Sequence, residues 1–234
     1  MNDRKRAVRY GISFVILAVL LIFLFIWNVN SGSIHLSVQE ILNIIFRHQG
    51  DETSYNIVWE IRLPRILAVI ILGGALSVSG FLLQTFFNNP IAGPFVLGIS
   101  SGAKLIVALL MIFFLSRSVS IGSGAMILAA FAGSMISMGF VLLVAKKVHN
   151  MSMLVISGVM IGYICSAITD FVVTFADDSN IVNLHNWSLG SFSGMTWGNV
   201  RTMAVVVFLT MVIVFFMSKP ISAYQLGETY AQNM

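Results

Sequence analysis

The chain has 234 residues, 58% of them hydrophobic and 9% charged, with 13 Lys and Arg against 9 Asp and Glu and a net charge of +4. So little charge cannot cover a water-soluble domain, which excludes soluble enzymes and soluble binding modules. The single cysteine, Cys165, leaves no disulfide framework and no Cys-rich zinc or Fe–S site, and the basic residues flank apolar runs, a pattern of membrane topology rather than of nucleic-acid binding.

The first uncharged run, residues 11–29, follows a basic head of Arg4, Lys5, Arg6 and Arg9, which predicts a first span with a cytoplasmic N-terminus. No small-residue cleavage pattern follows it, so the run reads as a retained span and not a signal peptide. Residues 31–65 carry His35, Glu40, Arg47, His48, Asp51, Glu52, Glu60, Arg62 and Arg65, and read as an extracytoplasmic loop with a short amphipathic helix at 38–46. From Ile66 to Ala103 there is no charged residue, nearly enough for two crossings. Asn88, Asn89, Pro90, Gly93 and Pro94 interrupt it, so one span ends near Phe87 and another begins near Pro94. Broken backbone at membrane depth survives only under protein or beside water, which makes this segment a candidate lining element. Further spans are expected at 118–145, 151–176 and 202–218, six in total.

Threading these spans puts Lys146, Lys147 and Lys219 inside with the basic head, and Arg47, Arg62, Arg65, Arg117 and Arg201 outside. Lys146, Lys147 and His149 read as a topology signal before an inward contact. The fold class is therefore all-α, a polytopic helix bundle forming a single transmembrane domain over residues 1–234. Small residues are dense at 73–80, at 98–103, at 129–134 and at Ser157, Gly158 and Gly162, where they let helix backbones approach closely.

Chemistry-bearing residues are few. Arg62 and Arg65 stand three apart with Pro64 between them, a spacing that turns both guanidinium groups outward from a first helical turn, for docking or for interfacial snorkelling. Gln84, Asn88 and Asn89 either hydrogen-bond the backbone freed around Pro90 or line a path for a polar cargo. Lys104, within a span, should face a cavity or a partner, with Asp170 the available acid. Asp177 and Asp178 read as a solvated helix end. Together with Asp170 they leave a weak alternative, a lipid or prenyl enzyme holding magnesium pyrophosphate. His35, His48, His149 and His185 lack ligand spacing, no Walker motif is present, and no nucleophile–base arrangement suggests an enzyme. No cofactor, resident metal or catalytic residue is expected.

The run Ile61, Arg62, Leu63, Pro64, Arg65, followed by the small residues at 73–80, Gln84, the Asn88 to Pro94 segment and Gly98, Ser100, Ser101 and Gly102, closely resembles the FecCD family of ABC-importer permeases. The resemblance continues through Leu154 to Gly158 as the family's fifth span, Trp187 to Gly194 with Trp197 as its short external helix, and Leu226, Gly227, Glu228 and Ala231 as the start of its cytoplasmic coupling element. It implies a multi-pass protein of the cell membrane that carries ferric siderophore, with cobalamin or haem as alternatives. It also implies docking of an extracytoplasmic binding protein at Arg62 and Arg65, a pathway along Gln84, Asn88, Asn89 and Pro90, and coupling to a cytoplasmic ATPase through Gly227, Glu228 and Ala231. A second permease subunit is implied as well. Family members continue through about four more spans, so this chain is expected to represent the N-terminal part of the family domain, and a non-transporting fragment remains an alternative.

Overall fold

The computed structural model describes residues 3–32, 34, 36–91, 93, 95, 97–115, 122–147 and 151–227. Every regular element among them is a helix, as lipid demands of backbone groups that it cannot hydrogen-bond. In chain order these are α1 (Asp3–Asn30), α2 (Val38–Arg47), α3 (Glu52–Asn56), a π-helical segment (Ile57–Arg62), α4 (Leu63–Phe86), α5 (Ile99–Leu115), α6 (Ser123–Ala145), α7 (Met151–Val173), α8 (Asp178–Leu189), α9 (Trp197–Phe216) and α10 (Ser218–Gln225). Lys5–Asn30, Glu52–Phe86, Gly124–Ala145, Met153–Val173 and Trp197–Phe216 are long and apolar enough to cross a membrane, and the shorter apolar helix Ile99–Phe114 makes the sixth expected span.

Three boundaries differ from expectation. The helix carrying the second span begins at Glu52 rather than at the end of a loop near Arg65, because charges mark where lipid ends and not where helical hydrogen bonding begins. α5 starts at Ile99 instead of near Pro94. Gly98, at φ +71, breaks the helical path immediately before it. The short external helix is α8, which ends at Leu189, and Gly190 at φ +72 turns the chain into the non-helical stretch 190–196, where helix was expected.

The chain divides into two compact units, Met1–Gly74 with Phe192–Met211 and Ala75–Ser191 with Val212–Met234. The first has a core of Val29, Leu36, Ile41, Ile44, Val58, Leu63 and Ile66, with Tyr55, Trp59 and Trp197 packed against it. Its helix α2 is amphipathic as predicted, burying Ile41 and Ile44 while Leu42 and Phe46 stay exposed. A capping box starts it: Ser37 Oγ accepts from Glu40 N, and the Glu40 carboxylate accepts from Ser37 N at 2.8 Å. The bonds that the Glu40 carboxylate accepts, from Ser37 N and also from Ser37 Oγ at 2.9 Å, hold that carboxyl below its ordinary pKa.

The second unit is organised around α5, which packs on α6, α7 and α8. Glycine allows the approach. A Cβ on Gly98 would lie 2.7 Å from Gly158 O and 2.8 Å from Gly162 N, and one on Gly102 would lie 2.6 Å from Gly133 O. These are the small-residue contacts expected of helices without a hydrophobic drive to associate. By contrast, Gly73, Gly74, Gly80 and Gly139 would meet nothing within 4 Å. Farther along α5, Val107, Ala108 and Met111 pack with Ala129 of α6 and Leu184 of α8. Cys165 Sγ lies 3.6 Å from Ser137 Oγ, a hydroxyl fully buried in the seam.

Candidate functional site

The helical turn bearing Arg62 and Arg65 is shaped by Pro64. A proline within a helix supplies no N–H and crowds the carbonyl one turn back. Here the chain widens: Leu63 N–H reaches Val58 O, five residues back. In that register the missing N–H of Pro64 would have served Trp59. The Trp59 carbonyl accepts instead from Trp197 Nε1 at 2.9 Å, and the two indoles lie 5.2 Å apart. Tyr55 stacks on Trp59 at 6.1 Å and His48 meets it edge-on at 4.6 Å. An aromatic brace thus holds the turn.

Arg62 is half-buried, with Nη1 donating to Val29 O at 2.5 Å and Nη2 to Ile34 O at 2.9 Å. The last carbonyls of α1 have no intrahelical donors, and this guanidinium takes one of them. Gly32 makes room for it, since a Cβ there would come within 3.1 Å of Arg62 Cζ. Arg65 Nε donates to Phe192 O at 3.3 Å. Each guanidinium is thus tied to the main chain, Arg62 to two carbonyls and Arg65 to one.

Within the second unit, the other candidate residues gather where α4 ends. Asn88 sits at φ +45, Asn88 N–H reaches Thr85 O at 3.2 Å, and Asn89 N–H reaches Gln84 O at 3.1 Å. This is a Schellman cap with asparagine in the left-handed position, followed by Pro90, which cannot prolong the helix. Asn89 Oδ1 accepts from Ile91 N at 2.9 Å, a local turn of the kind asparagine favours. The Asn89 side chain thus hydrogen-bonds the backbone beside Pro90, while Asn88 contributes its left-handed main-chain conformation. They do border a cavity of about 660 Å³, together with Gln84, Pro90, Tyr224 and Gly227. Phe87 and Leu97 are fully buried against Val141 and Leu154, so protein covers part of the broken backbone.

Across this cavity α10 meets α4 at two points. The Tyr224 ring lies parallel to Phe86, 6.1 Å away at 9°, with its hydroxyl 3.4 Å from Phe86 O. Gln225 Nε2 donates to Thr85 Oγ1 at 3.2 Å. Sequence reasoning missed Tyr224 and Gln225, although they directly precede Leu226 and Gly227. It also missed the tie from Trp197 to Trp59, whose signal is a tryptophan five residues before a proline inside a helix.

Gly227 follows α10 at φ +126, whereas Glu228, Ala231, Pro94, His35 and His149 lie outside the described residues. Lys104 is half-buried on α5, and Asp170 is exposed on α7. Asp177 and Asp178 form the exposed start of α8, as expected. Among the described residues no three His, Cys, Asp or Glu side chains converge as metal ligands.

These features define a multi-pass helical membrane protein whose second span ends in a cap beside a cavity lined by both polar and apolar side chains. The FecCD transport family model matches residues 20–234, and the chain belongs to that family. It is 34% identical over 177 residues to the vitamin B12 import system permease protein BtuC of Salmonella paratyphi A, covering 76% of this chain and 53% of that protein. It is 29% identical over 219 residues to the hemin transport system permease protein HmuU of Yersinia pestis, covering 93% and 64%. The fold also matches a solved structure described as an inward-facing metal-chelate type ABC transporter, with a TM-score of 0.76 at 23% identity over 93% of this chain and 65% of that one. The chain thus spans between about half and two thirds of the length of these relatives.

Proposed function

We propose that the chain is a permease subunit of a binding-protein-dependent ABC importer that moves a ferric siderophore across the cell membrane by alternating access, driven by a separate cytoplasmic ATPase. The observation that carries this reading is the family match over residues 20–234, which includes the Arg62 and Arg65 turn, the interrupted span and α10. The spans supply a bundle, and the pathway runs beside Gln84, Asn88, Asn89 and Pro90 once a second permease subunit completes it. A binding protein docks at Arg62 and Arg65. Each guanidinium has five N–H groups, so the donors left over from the carbonyl bonds can meet carboxylates on that partner. Charge pairing of this kind sets register and speeds encounter. The segment at Gly227, Glu228 and Ala231 seats against the ATPase, the N-terminus is cytoplasmic, and the subunit itself performs no bond chemistry.

Cobalamin or haem is the second reading, favoured by the names of the two relatives. The test is uptake by iron-starved cells with and without the intact subunit, supplying radiolabelled ferric siderophore, haem or cobalamin in turn. Loss of siderophore uptake alone supports the first reading. Loss of haem or cobalamin uptake alone replaces it with the second.

A further inference from the structure

We propose that Tyr224 and Gln225 form the grip through which α10 moves the C-terminal end of α4 and its Asn88 to Pro90 turn. This deepens the reading above and rests on it.

A closely packed interface spreads a displacement over many atoms. Here a cavity of about 660 Å³ opens between parts of α10 and the end of α4, so their contact is confined to a few side chains. It is bridged by the stacking of Tyr224 on Phe86 and by the hydrogen bond from Gln225 to Thr85. The position of the first contact matters. The Schellman cap occupies the carbonyls of Gln84 and Thr85, and the next one, on Phe86, lies 3.4 Å from the Tyr224 hydroxyl. α10 therefore holds the last turn of α4 by backbone, ring and side chain at once. What the grip pulls on is also defined: Phe87, the next residue, is fully buried with Leu97, Val141 of α6 and Leu154 of α7, so a shift of the turn bears on both of those helices. On the other side, Gly227 at φ +126 turns the chain immediately after the grip, in a conformation that side chains rarely adopt.

The grip predicts that α10 and the end of α4 move as one body during turnover. In the complete importer reconstituted with its ATPase and binding protein, Tyr224→Leu combined with Gln225→Leu should lower siderophore uptake per ATP hydrolysed by about tenfold, the size expected when a coupling contact is removed. Basal ATP hydrolysis should persist. Tyr224→Phe, which keeps the ring, should recover most of the ratio. In a Tyr224→Leu, Cys165→Ala background, cysteines at Thr85 and Gln225 joined by a short reducible bis-thiosulfonate linker should restore the ratio, and reductant should abolish the rescue. Unchanged uptake per ATP in the double Leu variant would overturn the proposal. So would a linker that stops uptake, since it would show that the two helices separate. If the unmodified importer, assembled and hydrolysing ATP, moves none of the three chelates, the functional reading fails and the grip falls with it.

Discussion

Removing the indole N–H of Trp197 with Trp197→Phe should destabilise the first unit by stranding the Trp59 carbonyl. That carbonyl sits on a half-buried residue close to a proline that cannot serve it, and it accepts from Trp197 Nε1 at 2.9 Å. Leaving a buried acceptor unpaired costs about 1–3 kcal/mol. The loss of ring area adds to this, so the single variant alone does not isolate the bond. Pro64→Ala does. Alanine restores an N–H at position 64 that can reach Trp59 O in the π-helical register or Glu60 O in the α-helical one. In the Pro64→Ala background Trp197→Phe should therefore cost about 1 kcal/mol less than in the wild type, a coupling larger than the ~0.3–0.5 kcal/mol scatter of independent sites. Thermal unfolding in nanodiscs reads the cycle, at about 2–4 °C per kcal/mol for a chain of this size. Strict additivity of the two substitutions would refute the link between proline, π-helical turn and indole.

Other expectations follow from the same geometry. Gly102→Ala should push α5 from α6 and cost about 1–3 kcal/mol as overpacking, while Gly139→Ala, with open space around it, should be tolerated; equal melting temperatures would contradict the glycine seam. Asn88→Val forces a β-branched residue into the left-handed region and should cost about 1–2 kcal/mol, whereas Asn88→Gly should be near neutral in the same melt. The α2 cap should respond to acid. The Glu40 pKa is lowered by folding, so its contribution is present above the unfolded carboxylate pKa and fades as pH falls through the folded value. Protection of the first-turn amides of α2, taken relative to their intrinsic exchange rate at each pH, should fall over that window in wild type and show no such fall in Glu40→Gln.

Much of the fold was legible because the membrane makes the code simple. Long uncharged runs gave the spans, and Asn88 to Pro90 gave the break, since no helix passes a proline lacking cover for its freed carbonyls. Ser37 and Glu40 lie at capping-box spacing, and the predicted amphipathic helix starts where that box places it. What escaped was set by tertiary partners. Nothing local says that Glu52 begins a helix continuous with the second span, because the π-helical turn that carries the chain past Pro64 is completed by Trp197, far along the sequence. The spacing of Arg62 and Arg65 suggested two outward forks, but not the free carbonyls at the end of α1 that take up Arg62, which only the folded chain brings near. Tyr224 and Gln225 look ordinary in sequence. Their role depends on where α4 ends.

The central proposal is that this chain forms part of the alternating-access permease of an importer that a binding protein loads. Its most direct test is ATP-dependent uptake of labelled ferric siderophore into proteoliposomes holding the complete permease and its ATPase, with and without binding protein, for wild type and for Arg62→Glu with Arg65→Glu. The account predicts uptake that requires both ATP and binding protein and is lost in the double reversal while basal ATP hydrolysis remains. Binding-protein-stimulated uptake that survives both reversals would contradict the docking face, and uptake that ignores ATP and binding protein would contradict the account as a whole.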